Sequence, residues 1–149
     1  MLDGSGRLVL FETRPVDASG RARFPSVPTG PWELLLTAPG GAPTPLRVEV
    51  PGPPVPVILP PGGRLTVRVP PLSTSDQVAV LRVTDASGTP FRNLSPYGTI
   101  QSQFNVTGGR AVVENLPAGA WSLTVTAPDG RTFTGSVSTG GVDAEASLN

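Results

Sequence analysis

The sequence predicts an all-β protein made of two β-sandwich units in tandem, the first of them shortened, and three observations carry the prediction. Apolar residues alternate with polar ones in short runs, the period of a half-buried strand. Those runs are punctuated by 18 glycines and 19 prolines in 149 residues, far above average usage. And a phrase recurs: PTGPWELLLTAPGG at residues 28–41 returns as PAGAWSLTVTAPDG at residues 117–130. Two copies of one unit are the economical explanation of that recurrence.

The repeat runs without a gap from residues 20–59 onto 109–148, an offset of 89. Gly20 and Gly109, Arg21 and Arg110, Trp32 and Trp121, and Pro39 and Pro128 are among the identical pairs, as are Val48 and Val137 and, at the end, Leu59 and Leu148. The first unit is therefore expected over residues 1–60 and the second over 64–149, with Pro61, Gly62 and Gly63 as a short, partly stiff linker. The second unit is longer at its start, because residues 64–89, 26 in all, have no counterpart in the first.

In the first unit, Trp32, Leu34, Leu36 and Ala38 share one face of a strand, while Glu33, Leu35 and Thr37 share the other. Leu35 stands where the second unit has Thr124, which points to an outer face partly covered by the other unit or by another chain. A lone exposed leucine is the plain alternative. In residues 49–61, EVPGPPVPVILPP, Val55, Val57 and Leu59 still alternate like a strand, and proline at that density confines it to a sheet edge.

In the second unit Leu65, Val67 and Val69 alternate with Arg64, Thr66 and Arg68, and Trp121, Leu123, Val125 and Ala127 alternate with Ser122, Thr124 and Thr126. Val142, Ala144, Ala146 and Leu148 alternate with Asp143, Glu145 and Ser147. Parity thus makes both tryptophans core residues and not ligand platforms. DASG at Asp17 and Asp85, PDG at 128–130 and the four glycine pairs read as turns, and no segment has helical periodicity. Residues 89–106, TPFRNLSPYGTIQSQFNV, are the candidate recognition segment: Arg92, Asn93, Tyr97, Gln101 and Gln103 suit a glycan or a protein surface. The competing reading is an irregular crossover with Phe91 and Phe104 in the core. Asn93 and Asn105 open N-x-S/T triplets, which matter where such sites are glycosylated.

The run DASGRARFPSVPTGPWELLLTAP, and TGGRAVVENLPAGAWSLTVTAPDG after it, resemble the carboxypeptidase regulatory-like module, a transthyretin-like (Ig-like) β-sandwich. The family's usual pattern is a "DasGrf" turn, a strand, an "lpxGxy" corner and an apolar strand ending in "aPG". Membership implies about seven strands in two sheets, and an accessory, non-catalytic module of a larger extracellular, cell-surface or periplasmic protein. Related surface sandwiches are locked by an internal Lys–Asn isopeptide bond, which a chain without lysine does not form.

Composition narrows the chemistry. Eleven acidic residues balance eleven basic ones, all arginine, and no basic stripe exists to hold nucleic acid. Histidine, lysine and cysteine are absent, so the many serines lack a conventional activating base, and no cofactor, metal or catalytic set is expected. Asp17, Asp85 and Asp129 belong to turns, and Glu114, Asp143 and Glu145 to polar strand faces, against a paired-carboxylate hydrolase. The opening MLDGSGRLVLFE has no apolar run of signal-peptide length, and no window nears the roughly 20 apolar residues that span a bilayer, so membrane insertion is not expected. The expected role is a spacer and protein-contact module, its partners other domains of a parent protein or copies of itself. Two alternatives are a carbohydrate-binding module and a subunit of a dimer or filament completed by another chain's strand. If the first unit lacks its opening strands, either Leu8 to Val16 supplies one of them, or another chain does, or the chain starts partway into that unit.

Overall fold

The structure, a computed structural model, describes residues 14–72, 78–95 and 97–149. Among them are eleven strands and no helix: β1 (Gly30–Leu36), β2 (Thr44–Val50), β3 (Gly62–Arg68), β4 (Ala79–Thr84), β5 (Asn93–Leu94), β6 (Ile100–Gln101), β7 (Phe104–Val106), β8 (Arg110–Pro117), β9 (Gly119–Thr126), β10 (Thr132–Thr139) and β11 (Ala144–Ser147). Seven of them make a β-sandwich. One sheet has the order β10-β9-β4-β7 and the other β11-β3-β8, with β11 parallel to β3 and the remaining neighbours antiparallel.

Strict alternation builds the core. Leu65 and Val67 on β3, Leu81 and Val83 on β4, Val113 on β8 and Leu123 and Val125 on β9 all point inward and are at most 1% exposed. The intervening Arg64, Arg68, Arg82 and Glu114 face water. Burying each of these aliphatic side chains stabilises the sandwich by about 1.5–3 kcal/mol before chain entropy is subtracted. Where β8 carries one residue too many, Glu114 and Asn115 together oppose Arg64, and Asn115 takes a positive φ of 59°. The Arg64 amide there donates to Asp143 Oδ1 at 2.9 Å, and its guanidinium to Glu114 Oε1 at 2.9 Å.

Gly62 and Gly63 are not linker. They open β3, opposite Pro117 and Leu116, because only hydrogen fits there: a Cβ on Gly63 would lie 2.1 Å from the Val142 carbonyl oxygen, and one on Gly62 would lie 2.7 Å from Asn115. Of the other glycine pairs, Gly108 and Gly109 make a turn as expected, Gly40 ends one with Gly41 in a β-bridge to Pro61, and Gly140 and Gly141 lie instead in the bend between β10 and β11; Gly40, Gly108, Gly109 and Gly141 are at positive φ.

Residues 89–106 form the crossover that the second reading anticipated. Phe91 and Phe104 are buried and stacked, 6.1 Å between ring centres, and Phe91 meets Trp121 edge-on at 5.7 Å. Between the two phenylalanines the chain makes the miniature hairpin β5–β6.

The first repeat keeps one hairpin. β1 and β2 pair in the same register as β9 and β10: Trp32 faces Val48 as Trp121 faces Val137, and Leu34 faces Leu46 as Leu123 faces Gly135. The strands expected on either side do not form. Residues 21–28, counterpart of β8, and 55–58, counterpart of β11, have no strand pairing and are largely exposed. The reason is topological. In the second repeat β8 and β11 both pair with β3, which lies between them, and β3 and β4 belong to the 26 residues that the first repeat lacks. Proline at positions 53, 54 and 56 also removes the amide donors a ladder needs. The expectation of an edge strand over Val55, Val57 and Leu59 is thus corrected. Of Leu8 to Val16, an expected source of a replacement strand, residues 8–13 lie outside the described residues and residues 14–16 are not in a strand.

Candidate contact surfaces

Two surfaces stand out once the core is assigned. The first is the tip of β5–β6, whose loop is one of a set. Asp17–Arg21, Asp85–Thr89, Ser95–Thr99 and Ala127–Arg131 each close with the first residue's amide on the fifth residue's carbonyl oxygen, and the fourth residue's amide on the first residue's carbonyl oxygen. The fourth residue is glycine each time, at φ 77°, 83°, 78° and 86°, the left-handed position that ends a three-residue hairpin loop. In the first three loops the first side chain also takes the amides of the third and fifth residues: Asp17 those of Ser19 and Arg21, Asp85 those of Ser87 and Thr89, Ser95 those of Tyr97 and Thr99. The serine hydroxyls, then those amides, hold the Asp17 and Asp85 carboxyls below the ordinary carboxylate value. Asp129 is held low by the Arg131 amide and then the Arg131 side chain.

Tyr97 occupies the third position of its loop and is 93% exposed. Of the other residues singled out in that segment, Arg92 and Gln103 are exposed and Gln101 is half-buried. Asn93, directly opposite Gln101, is 6% exposed: its side-chain nitrogen donates to the Glu114 carbonyl oxygen at 2.9 Å, and its oxygen accepts the Leu94 amide. Asn93 is therefore a pin between the crossover and β8, and its place in the recognition set is withdrawn. The same burial closes its N-x-S triplet, whereas Asn105 is exposed on β7. Ser95, which anchors the loop under Tyr97, escaped the sequence reading. Its signal was the spacing Ser95 to Gly98, the same as Asp85 to Gly88.

The second surface is one face of β1–β2. Trp32, Leu34, Leu46 and Val48 lie together on it, half-buried, and none belongs to the core cluster, whereas their counterparts Leu123 and Val137 are in it or packed on it. Trp32 donates its indole N–H to the Pro28 carbonyl oxygen at 2.8 Å, as Trp121 does to Pro117 at 3.1 Å. Trp32 is thus built like a core residue but lies outside the core cluster that the described residues form, which corrects half of the tryptophan expectation. On the opposite face Arg47 pairs with Glu33 at 3.1 Å, and Leu35 between the flanking strand positions is half-buried. The first repeat is tied to the second near its end, where the Ala42 amide donates to the Pro60 carbonyl oxygen and the Gly62 amide to that of Gly40.

Among the described residues no group of three potential metal ligands converges, and no helix is long and apolar enough to cross a membrane. No protein-family model and no curated protein matches the chain. Solved structures that are similar in part include the two that follow. The backbone protein of pilus 2b of group B streptococcus is 13% identical, with 72% of this chain and 43% of that one covered, at a TM-score of 0.41. A variant of BcpA, the major pilin subunit of Bacillus cereus, is 17% identical, with 83% and 40% covered, at 0.40. The chain spans about two-fifths of the length of each, and at such TM-scores neither likeness bears on function.

Proposed function

We propose that this chain is a non-catalytic structural and protein-contact module of an extracellular or cell-surface protein, made of one complete transthyretin-like sandwich and one partial copy, akin to the carboxypeptidase regulatory-like modules. The observation that supports it best is the apolar face of β1–β2, which the fold builds like the inside of a sandwich and leaves outside the core cluster. Apolar area of this kind stabilises whatever covers it by about 25 cal/mol per Å².

The test is whether that face is open in the folded chain. Anilinonaphthalene sulfonate is expected to fluoresce with the native protein and to lose most of that signal in the Leu34→Ser, Val48→Ser double variant. A native chain that leaves the dye dark has no open apolar face, and turnover on any ester, peptide or glycoside panel would end the non-catalytic reading.

Carbohydrate binding is the second reading, favoured by one observation: Tyr97 stands 93% exposed on a loop anchored by hydrogen bonds to Ser95. It requires Tyr97→Ala to abolish measurable polysaccharide affinity, and an empty glycan array removes it.

A further inference from the structure

The repeat makes the missing part of the first unit explicit. In the second unit β9 has two neighbours, β10 on one edge and β4 on the other, and β3 lies across the core from them. In the first unit β1 has the β10 counterpart, β2, and among the described residues no strand on its other edge. Because β1–β2 and β9–β10 share one register, the β4 pairing carries over residue by residue. Val83 faces Leu123, Arg82 faces Thr124 and Leu81 faces Val125, so the vacant positions face Leu34, Leu35 and Leu36.

Resting on the contact-module reading, we propose that the partner of this surface is an extended polypeptide strand, added antiparallel along the edge of β1 that no described strand occupies, beside Leu34, Leu35 and Leu36. The side chains define its chemistry. Its inward residues meet Leu34 and Leu36, as Val83 and Leu81 meet Leu123 and Val125, and are apolar. Its outward residue meets Leu35, where the second unit sets Arg82 against Thr124. A leucine in that position favours an apolar neighbour over an arginine across the pair. The recognised strand therefore has three apolar residues in succession and no charge among them. A sugar supplies neither the ladder hydrogen bonds nor that apolar run.

A second difference separates this slot from a simple copy of the other. In the second unit Leu148 lies over Gly135, so close that a Cβ there would be 2.4 Å from Leu148 Cδ2. In the first unit Leu46 takes the place of Gly135, and Leu59, the counterpart of Leu148, lies instead beside Gly41.

The probes are two synthetic peptides: VAVLRVT, residues 78–84 of this chain, and VAVLLVT, with leucine for Arg82. Amide hydrogen exchange is followed on the full chain. VAVLLVT is expected to slow exchange of residues 33–37 at least about tenfold and to do so at lower concentration than VAVLRVT, and Leu35→Glu is expected to reverse that order. Exchange in β2 of the same sample reports that the β1–β2 hairpin of each variant is folded. The inference is overturned if neither peptide protects residues 33–37, if protection appears elsewhere only, or if those amides are already as slow as β9 without peptide, which would mean that the chain fills its own edge. A dye-positive chain that takes no strand refutes this inference alone, whereas a dye-negative chain refutes the contact reading itself.

Discussion

Trp32 and Trp121 are the same residue in the same local setting, with the same indole bond to a proline four residues back. Their worth differs because burial is a property of what lies above them. Trp121 meets Phe91 edge-on, and Trp121→Ala is expected to lower the unfolding free energy by about 3 kcal/mol, whereas Trp32→Ala costs under about 1 kcal/mol, read by chemical denaturation. Parity along the strand was legible in the sequence, but the place of Trp32 outside the core cluster of the described residues was not, since strand alternation says which side faces inward and nothing of what is there. Asn93 shows the reverse. A polar residue beside Tyr97 reads as a ligand contact until burial places it on the Glu114 carbonyl, and Asn93→Ala is expected to cost about 1–3 kcal/mol by stranding that acceptor. Asp17, Asp85 and Asp129 have folded pKa values below their unfolded ones. The contribution of Asp85 and Asp129, which lie in the sandwich, is full above the unfolded carboxylate range and is lost as pH falls through the folded values, so the melting temperature should decline between about pH 5 and pH 2. That decline should shrink in Asp85→Asn.

Elements form here when their neighbours exist. Residues 144–147 and 55–58 are counterparts, yet the first set is a strand and the second is not, because only the first has β3 to pair with. Alternation in Val55, Val57 and Leu59 is a necessary signal for a strand and not a sufficient one. The turns were the easiest elements to read, since DASG and PDG carry their own hydrogen-bonding chemistry. Gly62 and Gly63 were the hardest. Paired glycines look like a turn from outside, and the crowding by Val142 and Asn115 that requires them is visible only in three dimensions. Gly135 is of the same kind. Gly135→Leu, which copies the first repeat's Leu46, is expected to destabilise the sandwich by about 1–3 kcal/mol through Leu148. A double-mutant cycle with Leu148→Ala should recover much of the loss.

At the scale of the whole molecule, the core cluster draws, among the described residues, on residues 65–148. Residues 62–149 are therefore expected to fold by themselves with a cooperative transition, and residues 14–61 to show none, by circular dichroism and amide exchange. The all-β class, the repeat and the sandwich were legible because period and offset survive in one dimension. The unequal completeness of the two copies was legible too, as 26 residues without a counterpart, but its meaning depended on knowing that those residues are the two central strands.

The parallel pairing of β11 with β3 joins the first and last strands of the sandwich side by side, running the same way. A pull on the chain from both sides of this unit therefore slides the two strands along each other, and every rung from Leu65 opposite Ala144 to Arg68 opposite Ser147 resists together. The Arg68–Glu145 ion pair spans the same seam. Tension is thus shared across a ladder and not concentrated on one hydrogen bond at a time.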